Sequence, residues 1–306
     1  MFLCVVFFFL INSSQEFDVK VIKSDETIEL YRSETKGDGF QVSDLIIQGQ
    51  NITTLPKGTF RKFLFLKTID IQATNLTTIE AKAFENLPKL RILNLSLNRL
   101  KQIKKYYFEN LPITHLYLFG NVIERIQVGS FYNLKSLEVL DLSRNKIQHL
   151  DFHMFKGTYY LQQINLSFNK ITMLPHQCFF DAFSSVALGE DAYLDLSDNQ
   201  ISYISSKSIS GIYILEKLDL KNNLLEQLDP NLFKHFHYLG TLDLENNFLR
   251  SLSNNNLEKL ERTQEINLLS NPWNCGFVKK YRQWCQRFNK FDTLDVSVVA
   301  ACNRTN

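Results

Sequence analysis

Apolar residues recur along most of the chain in one frame. Leu137, Leu140, Leu142, Ile147 and Leu150 surround Asn145, and the same arrangement returns about every 24 residues. Inside the frame, alternation with a period of two predicts a short strand that sends Leu140 and Leu142 inward and Asp141 outward. Such a strand is too short to survive alone. The same strand from the next turn, about 4.8 Å away, pairs its backbone and joins the inward leucines into a continuous core. Asn98, Asn121, Asn145, Asn169, Asn199, Asn223, Asn247 and Asn271 mark the period, at spacings of 23, 24, 24, 30, 24, 24 and 24. Counting back eight residues from each places turn starts at Leu90, Ile113, Leu137, Leu161, Asp191, Leu215, Leu239 and Thr263. Two earlier turns start at Val42 and Leu66, with Gln50 and Thr74 in the Asn position. The pattern predicts an α/β solenoid of ten turns over residues 42–271, its short strands forming one parallel concave sheet.

Two ladders run through these turns. The asparagine amides are expected to be buried and to satisfy backbone groups that the turn after each strand leaves unpaired. Ten residues later stand Phe60, Phe84, Phe108, Phe131, Phe155, Phe179 and Phe233, with Ile209 and Leu257 in two turns. A spine filling the back of the coil explains these better than an aromatic stripe for ligands.

The ends of such a stack need covering. Residues 1–15 are expected to be a signal peptide: the apolar run from Met1 to Ile11 is short for a membrane span of about 20 residues, and cleavage is expected near Ser14 or Gln15. In residues 16–41, Phe17, Val19 and Val21 alternate, Lys23 to Glu26 turn, and Ile28 and Leu30 alternate again, which predicts a hairpin cap. In residues 272–306, Phe277, Tyr281, Trp284, Cys285 and Phe288 share one helical face that would cover the last turn. Lys279, Lys280, Arg282 and Arg287 lie mostly on the other side, as a solvated face or a basic docking patch.

These frames resemble the leucine-rich repeat of extracellular proteins. Asn271-Pro-Trp-Asn-Cys275 resembles the start of their carboxyl cap, in which the first cysteine pairs with the third and the second with the fourth. Phe277 replaces the second cysteine here, and none follows Cys302, so the resemblance implies a Cys275–Cys302 disulfide; a bridge from Cys285 to either is the alternative. Closing that loop adds roughly 3–4 kcal/mol in the chain-entropy model. The cysteine-free amino end and the short cap are most similar to the leucine-rich immune proteins of insects. Some of those form disulfide-linked heterodimers through cysteines and a coiled coil after the repeats; without that coiled coil, nothing in this sequence supports an oligomer.

Charge and chemistry narrow the function. With 34 Lys+Arg against 32 Asp+Glu, nothing points to nucleic acid. His176 with Cys178, and His235 with His237, bring no further ligands at metal-binding spacing, so no catalytic residue, metal or cofactor is expected. Cys178 stands where other turns carry Thr59, Ala83, Ser130 or Met154, as a buried small residue or the site of an intermolecular bridge. It lies about four turns from Cys285, on the order of 20 Å, beyond disulfide reach. Sequons at Asn51, Asn75, Asn94, Asn165 and Asn303 are candidate glycosylation sites.

The outward positions carry the candidate partner surface. Leu97, Tyr117, Phe119, Phe168 and Tyr193 are expected to form an apolar, aromatic cluster on the concave face, partly covered if Asn94 and Asn165 carry glycans. Asp195, Asp219, Asp243 and Glu245 are expected to stack into an acidic strip, although Asp is also common in the repeat frame. An insertion of six residues falls near Ala182–Asp191, consistent with function or with tolerated drift. The expectation is a secreted, non-enzymatic recognition protein of innate-immune type, binding a protein or pathogen surface with no membrane insertion after signal cleavage. Adhesion, matrix or receptor-ectodomain roles and inhibition of a secreted enzyme are the alternatives.

Overall fold

The structure is a computed structural model that describes residues 6–11, 17–23, 26–29, 43–47 and 51–304, with side chains from residue 43 onward. The expected cleavage region, the turn start at Val42 and Gln50 lie outside these residues. The chain forms two compact units, residues 1–145 and 146–306.

In the first unit, β1 (Val6–Ile11), β2 (Phe17–Lys23) and β3 (Glu26–Glu29) precede five repeat strands. The repeat strands are β4 (Asp44–Ile46), β5 (Thr68–Asp70), β6 (Ile92–Asn94), β7 (His115–Tyr117) and β8 (Val139–Asp141), paired in parallel in that order. The expected hairpin is present, with Val21 opposite Ile28 in an antiparallel β2–β3 pair. The apolar run read as a signal peptide stands as β1, antiparallel to β2 and touching β4 through Val6 and Ile46.

The second unit continues the pattern with β9 (Gln163–Asn165), β10 (Tyr193–Asp195), β11 (Ile214–Asp219), β12 (Tyr238–Asp243) and β13 (Glu265–Asn267), again all parallel. Each unit is therefore a stack of leucine-lined turns with five repeat strands, ten in all as expected. Among the described residues α-helices are few: α1 (Asn254–Lys259), α2 (Cys275–Phe288) and α3 (Val296–Asn303) all lie near the carboxyl end.

The alternation buries Leu93, Leu116 and Leu140 in one unit and Leu194, Leu218 and Leu242 in the other. Burial of each such side chain is worth about 1.5–3 kcal/mol. Behind them the phenylalanine spine is closed to solvent. Ring centroids are 5.5 Å apart for Phe60–Phe84, 6.4 Å for Phe108–Phe131 and 5.6 Å for Phe155–Phe179, all stacked. This aromatic ladder is structural.

The asparagine ladder ties each turn to its predecessor. Asn223 Nδ2 donates to Leu196 O in the preceding turn at 2.9 Å and to Leu220 O in its own at 3.1 Å, while its Oδ1 accepts Ile201 N–H at 3.0 Å. Asn121 makes the same three kinds of bond in the first unit, to Leu95 O, Leu118 O and Leu100 N–H. Thr74 is too short to reach backward and donates instead to Asn98 Oδ1. One expected turn start is displaced: Asp191 stays exposed and Ala192 takes the buried place, because the inserted segment lets the chain avoid burying a carboxylate.

At the carboxyl end, Asn274 caps α2 by accepting Phe277 N–H at 2.8 Å. Phe277, Tyr281, Trp284 and Cys285 are buried on one face, as their spacing predicts, and Phe288 is half-buried. Trp273 Nε1 donates to Leu268 O at 2.8 Å, and its ring meets Phe277 at 4.5 Å. The Cys275–Cys302 disulfide is formed, joining the start of α2 to α3. Lys280 and Lys290 donate to the carbonyls of Leu252 and Thr263, and Arg282 pairs with Asp292 at 3.1 Å. The expected basic face thus spends two of its members on holding the cap.

Candidate functional site

Eight of the ten repeat strands end with an outward Asp or Asn that bends the chain. Its Oδ1 accepts the backbone N–H two residues later: Ser96 on Asn94 at 3.0 Å, Ser143 on Asp141 at 2.9 Å, Ser197 on Asp195 at 2.9 Å, Lys221 on Asp219 at 3.1 Å and Glu245 on Asp243 at 3.0 Å. These are Asx turns, and they give the acidic strip a structural role alongside any binding role. Tyr117 is the exception among the strands from β5 onward. It leaves a half-buried ring on the face, 6.1 Å from His115.

The residue before each ladder asparagine is left-handed in every turn. Asp198, Asn222 and Asn246, at φ 53° to 54°, are residue types that tolerate this, and Gly120 does so freely. Leu97 at φ 55°, Arg144 at φ 52° and Phe168 at φ 53° do not. Leu97 and Phe168 are also 48% and 45% exposed. A Cβ on Gly120 would lie 2.8 Å from Leu97 Cδ2, so that glycine also makes room for the leucine. Arg144 was absent from the sequence-based candidates, because its peculiarity is a backbone angle that spacing does not reveal.

The expected aromatic cluster is only partly assembled. Leu97, Tyr117 and Phe119 gather in neighbouring turns of the first unit, where Leu97 N–H donates to Phe119 O at 2.7 Å. In the second unit Tyr193 pairs with Gln163 at the start of the strands, whereas Phe168 follows their end. Tyr193 thus stands at the start of the strands and Phe168 beyond the turn that closes one of them.

Asp195, Asp219 and Asp243 face one another in register on β10, β11 and β12. Asp219 is buried, and its Oδ2 is 2.9 Å from Lys217 Nζ and 3.9 Å from Lys221 Nζ. Burial opposes the Lys217 charge, but Asp219, Asp243 and Asp195 outweigh it and raise its pKa. Asp195 is pushed above the ordinary carboxylate value by burial, helped by Asp219 and opposed by Ser197 and Lys217. Asp243 is pushed up by burial, with Asp219 and Glu245 adding repulsion. Glu245 Oε2 accepts Asn267 Nδ2 at 3.1 Å. The strip is therefore neutralised at its middle and strained at its flanks.

The remaining candidates fall as follows. Asn51 and Asn303 are exposed, while Asn75, Asn94 and Asn165 are half-buried. Asn75 Nδ2 donates to Asn51 Oδ1 at 3.2 Å, which brings two sequons side by side. Cys178 and Cys285 are free and buried, and neither bridges Cys275 or Cys302. Burial pushes the Cys178 thiol far up, and its Sγ donates to Ser208 O, so the alternative of an intermolecular bridge there has no accessible thiolate.

Comparisons with known proteins agree with this geometry. Residues 45–186 match the family model of the BspA type leucine rich repeat region in six copies, and residues 214–272 match a second leucine rich repeat model. No curated protein matches the sequence. Among solved structures, the Toll–Spatzle complex of Drosophila is similar with a TM-score of 0.70 and 21% identity, over 77% of this chain and 31% of that one. The mouse RP105/MD-1 complex gives 0.64 and 22%, over 82% and 42%. The LRIM1/APL1C complex gives 0.55 and 20%, over 79% and 50%. The chain thus spans a third to a half of the length of these structural relatives, and the likeness is one of fold. The repeat models fall on the stretches where strand register and asparagine ladder recur, and the chain is a leucine-rich repeat protein.

Proposed function

We propose that this is an extracellular, non-enzymatic recognition protein of innate-immune type that binds a protein or pathogen surface through the outward face of its repeat strands. One observation carries the reading: bulky Leu97, Arg144 and Phe168 occupy left-handed positions that Asn, Asp, Gly, Ser or Ala fill in the other described turns. Such a backbone costs a non-glycine residue about 1–2 kcal/mol, and strain of this kind concentrates where a side chain must be presented. The relatives of similar fold are known in complexes with protein partners, Spatzle and MD-1 among them. The disulfide and the sequons fit an oxidising compartment.

Leu97→Asn and Phe168→Asn test this together. Both should raise thermal stability, because Asn adopts φ > 0 readily, while lowering capture of the partner from the producing organism's extracellular fluid at least tenfold. Stabilised variants that keep full capture would sink the strand-face reading. In the same material, residues 1–15 should be missing by amino-terminal sequencing, and enzymatic deglycosylation should lower the mass at several sequons.

A receptor ectodomain is the second reading, favoured by the chain's coverage of only 31% and 42% of its first two structural relatives. A transcript encoding a membrane span after Asn306 would establish it.

A further inference from the structure

The edge on which each turn returns to its strand differs along the chain. Ten and nine residues before the ladder position, the first unit carries Leu64-Phe65, Pro88-Lys89, Leu111-Pro112 and Lys135-Ser136. The second unit carries Tyr159-Tyr160, Tyr213-Ile214 and His237-Tyr238 at the same places, with Gly189-Glu190 inside the insertion and Glu261-Arg262 in the last turn. Tyr159, Tyr160 and Tyr213 are 47%, 56% and 46% exposed, and the Tyr213 and His237 rings stack at 5.3 Å. No core requirement explains aromatic side chains at positions that proline and lysine fill equally well.

The six-residue insertion completes the same edge. Its start is tied to the preceding turn: Phe183 and Ser185 N–H donate to the carbonyls of Leu161 and Tyr159 at 2.9 and 3.1 Å. Near its end Glu190 Oε2 accepts Ala187 N–H at 2.9 Å, and Gln163 Nε2 donates to Asp191 O at 3.3 Å. Held at both ends, the tab presents Leu188, 67% exposed, beside Gly189, around which a Cβ would meet nothing within 4 Å. Tyr193, 38% exposed, opens the strand that follows. Glu190 and Asp191 are exposed on the tab, and half-buried Glu216 accepts Tyr238 OH at 3.0 Å further along. Lys217, the neighbouring base on β11, is committed to Asp219 at 2.9 Å.

We infer that this edge of the second unit, from Tyr159 through Leu188 to Tyr213, is a docking surface for a protein segment that presents Arg or Lys beside an apolar side chain. Charge complementarity selects the occupant. Guanidinium groups stack on tyrosine faces and pair with carboxylates at once, and Leu188 supplies the apolar contact between them. The inference rests on the protein-recognition reading and gives it a place and a chemistry. It also lies off the strand face, where a glycan on Asn165 would not cover it.

The experiment is selection of a displayed random 12-residue peptide library on the full chain, followed by affinities for variants of unchanged melting temperature. Enriched peptides should place Arg or Lys next to an apolar residue. They should lose affinity at least tenfold on Tyr160→Ser/Tyr213→Ser, on Leu188→Asp and on Glu190→Lys/Asp191→Lys, and keep it on Lys135→Asp, a change at the equivalent edge position of the first unit. Enriched peptides indifferent to the edge variants, or lost equally on Lys135→Asp, would overturn the edge assignment and leave protein recognition standing. A library that yields no enriched peptide would count against protein recognition itself.

Discussion

The two units of this protein share an interior and differ in their surfaces. Leu116 and Leu218, Phe108 and Phe179, Asn121 and Asn223 are interchangeable in burial and bonding. Their exposed edges are not: Pro88-Lys89 and Lys135-Ser136 stand where the second unit has Tyr159-Tyr160 and His237-Tyr238. A repeat holds its buried rows fixed because every turn must pack on the next, so selection for binding is free to act on the outward rows alone. Variation between equivalent outward positions is therefore more informative about function than any single exposed residue.

The largest expected effects should fail to distinguish the units. Phe108→Ala in the first and Phe179→Ala in the second each remove a stacked ring from a sealed spine, and each should cost about 4 kcal/mol in chemical denaturation. Asn121→Ala and Asn223→Ala each leave one buried N–H, of Leu100 or Ile201, without its acceptor, while the carbonyls keep a second donor from the neighbouring ladder asparagine; each should cost about 1–3 kcal/mol. A several-fold difference between the members of either pair would break the claim that the interiors are equivalent.

The carboxyl cap is where an asymmetry in stability should appear. Cys302→Ser opens a loop whose ends are 27 residues apart and should cost the second unit about 3–4 kcal/mol. The loss should show as early hydrogen exchange in α2 and around Trp273, while the amides of β6 and β7 keep their protection. Uniform loss through both units would mean that the cap stabilises more than the turns it covers.

These features were unequally legible in the sequence. Turn period, spine, asparagine ladder and helix face follow from one constraint, burial at fixed spacing, which leaves its mark on every copy. The cap pairing came from resemblance, and Phe277 in place of a cysteine was enough to indicate which bridge remains. The acidic strip read ambiguously because Asp serves the strand-end turn and faces outward at once. Asn94, Asn165 and Asn267 at the equivalent position were the available clue that an amide oxygen suffices there. Alternation reports the face of a residue and not the end of the strand it occupies, so it groups Phe168, which follows the end of a strand, with Tyr193, which opens one. The tyrosine edge lies before the strands, outside the face pattern that alternation reports, and only a comparison between turns reveals it.

The smallest expected effect bears on the strained flanks of the strip. Asp195 and Asp243 have folded-state pKa values above the ordinary value of 3.8, with burial as the first cause and Asp219 adding repulsion. A carboxylate raised on folding is held protonated more readily in the native state, so it favours folding as pH falls toward its unfolded pKa and opposes folding as pH rises through its folded one. Asp195→Asn/Asp243→Asn supplies an amide oxygen in place of the carboxylate oxygen that the Asx turn uses and removes both charges. It should raise the melting temperature at pH 7 by about 2 °C, an advantage that shrinks as pH falls and the two carboxyl groups of the parent protein take up protons. Asp70 in the first unit is also raised by burial, but the other influences on it, from Asn94 and Gln72, are hydrogen bonds that lower it. Salt consequently separates the two units: the gain in the second should diminish between low and high ionic strength, and any change on Asp70→Asn should not. Equal salt dependence in both would show that burial, rather than the stacking of Asp195, Asp219 and Asp243, sets the strain.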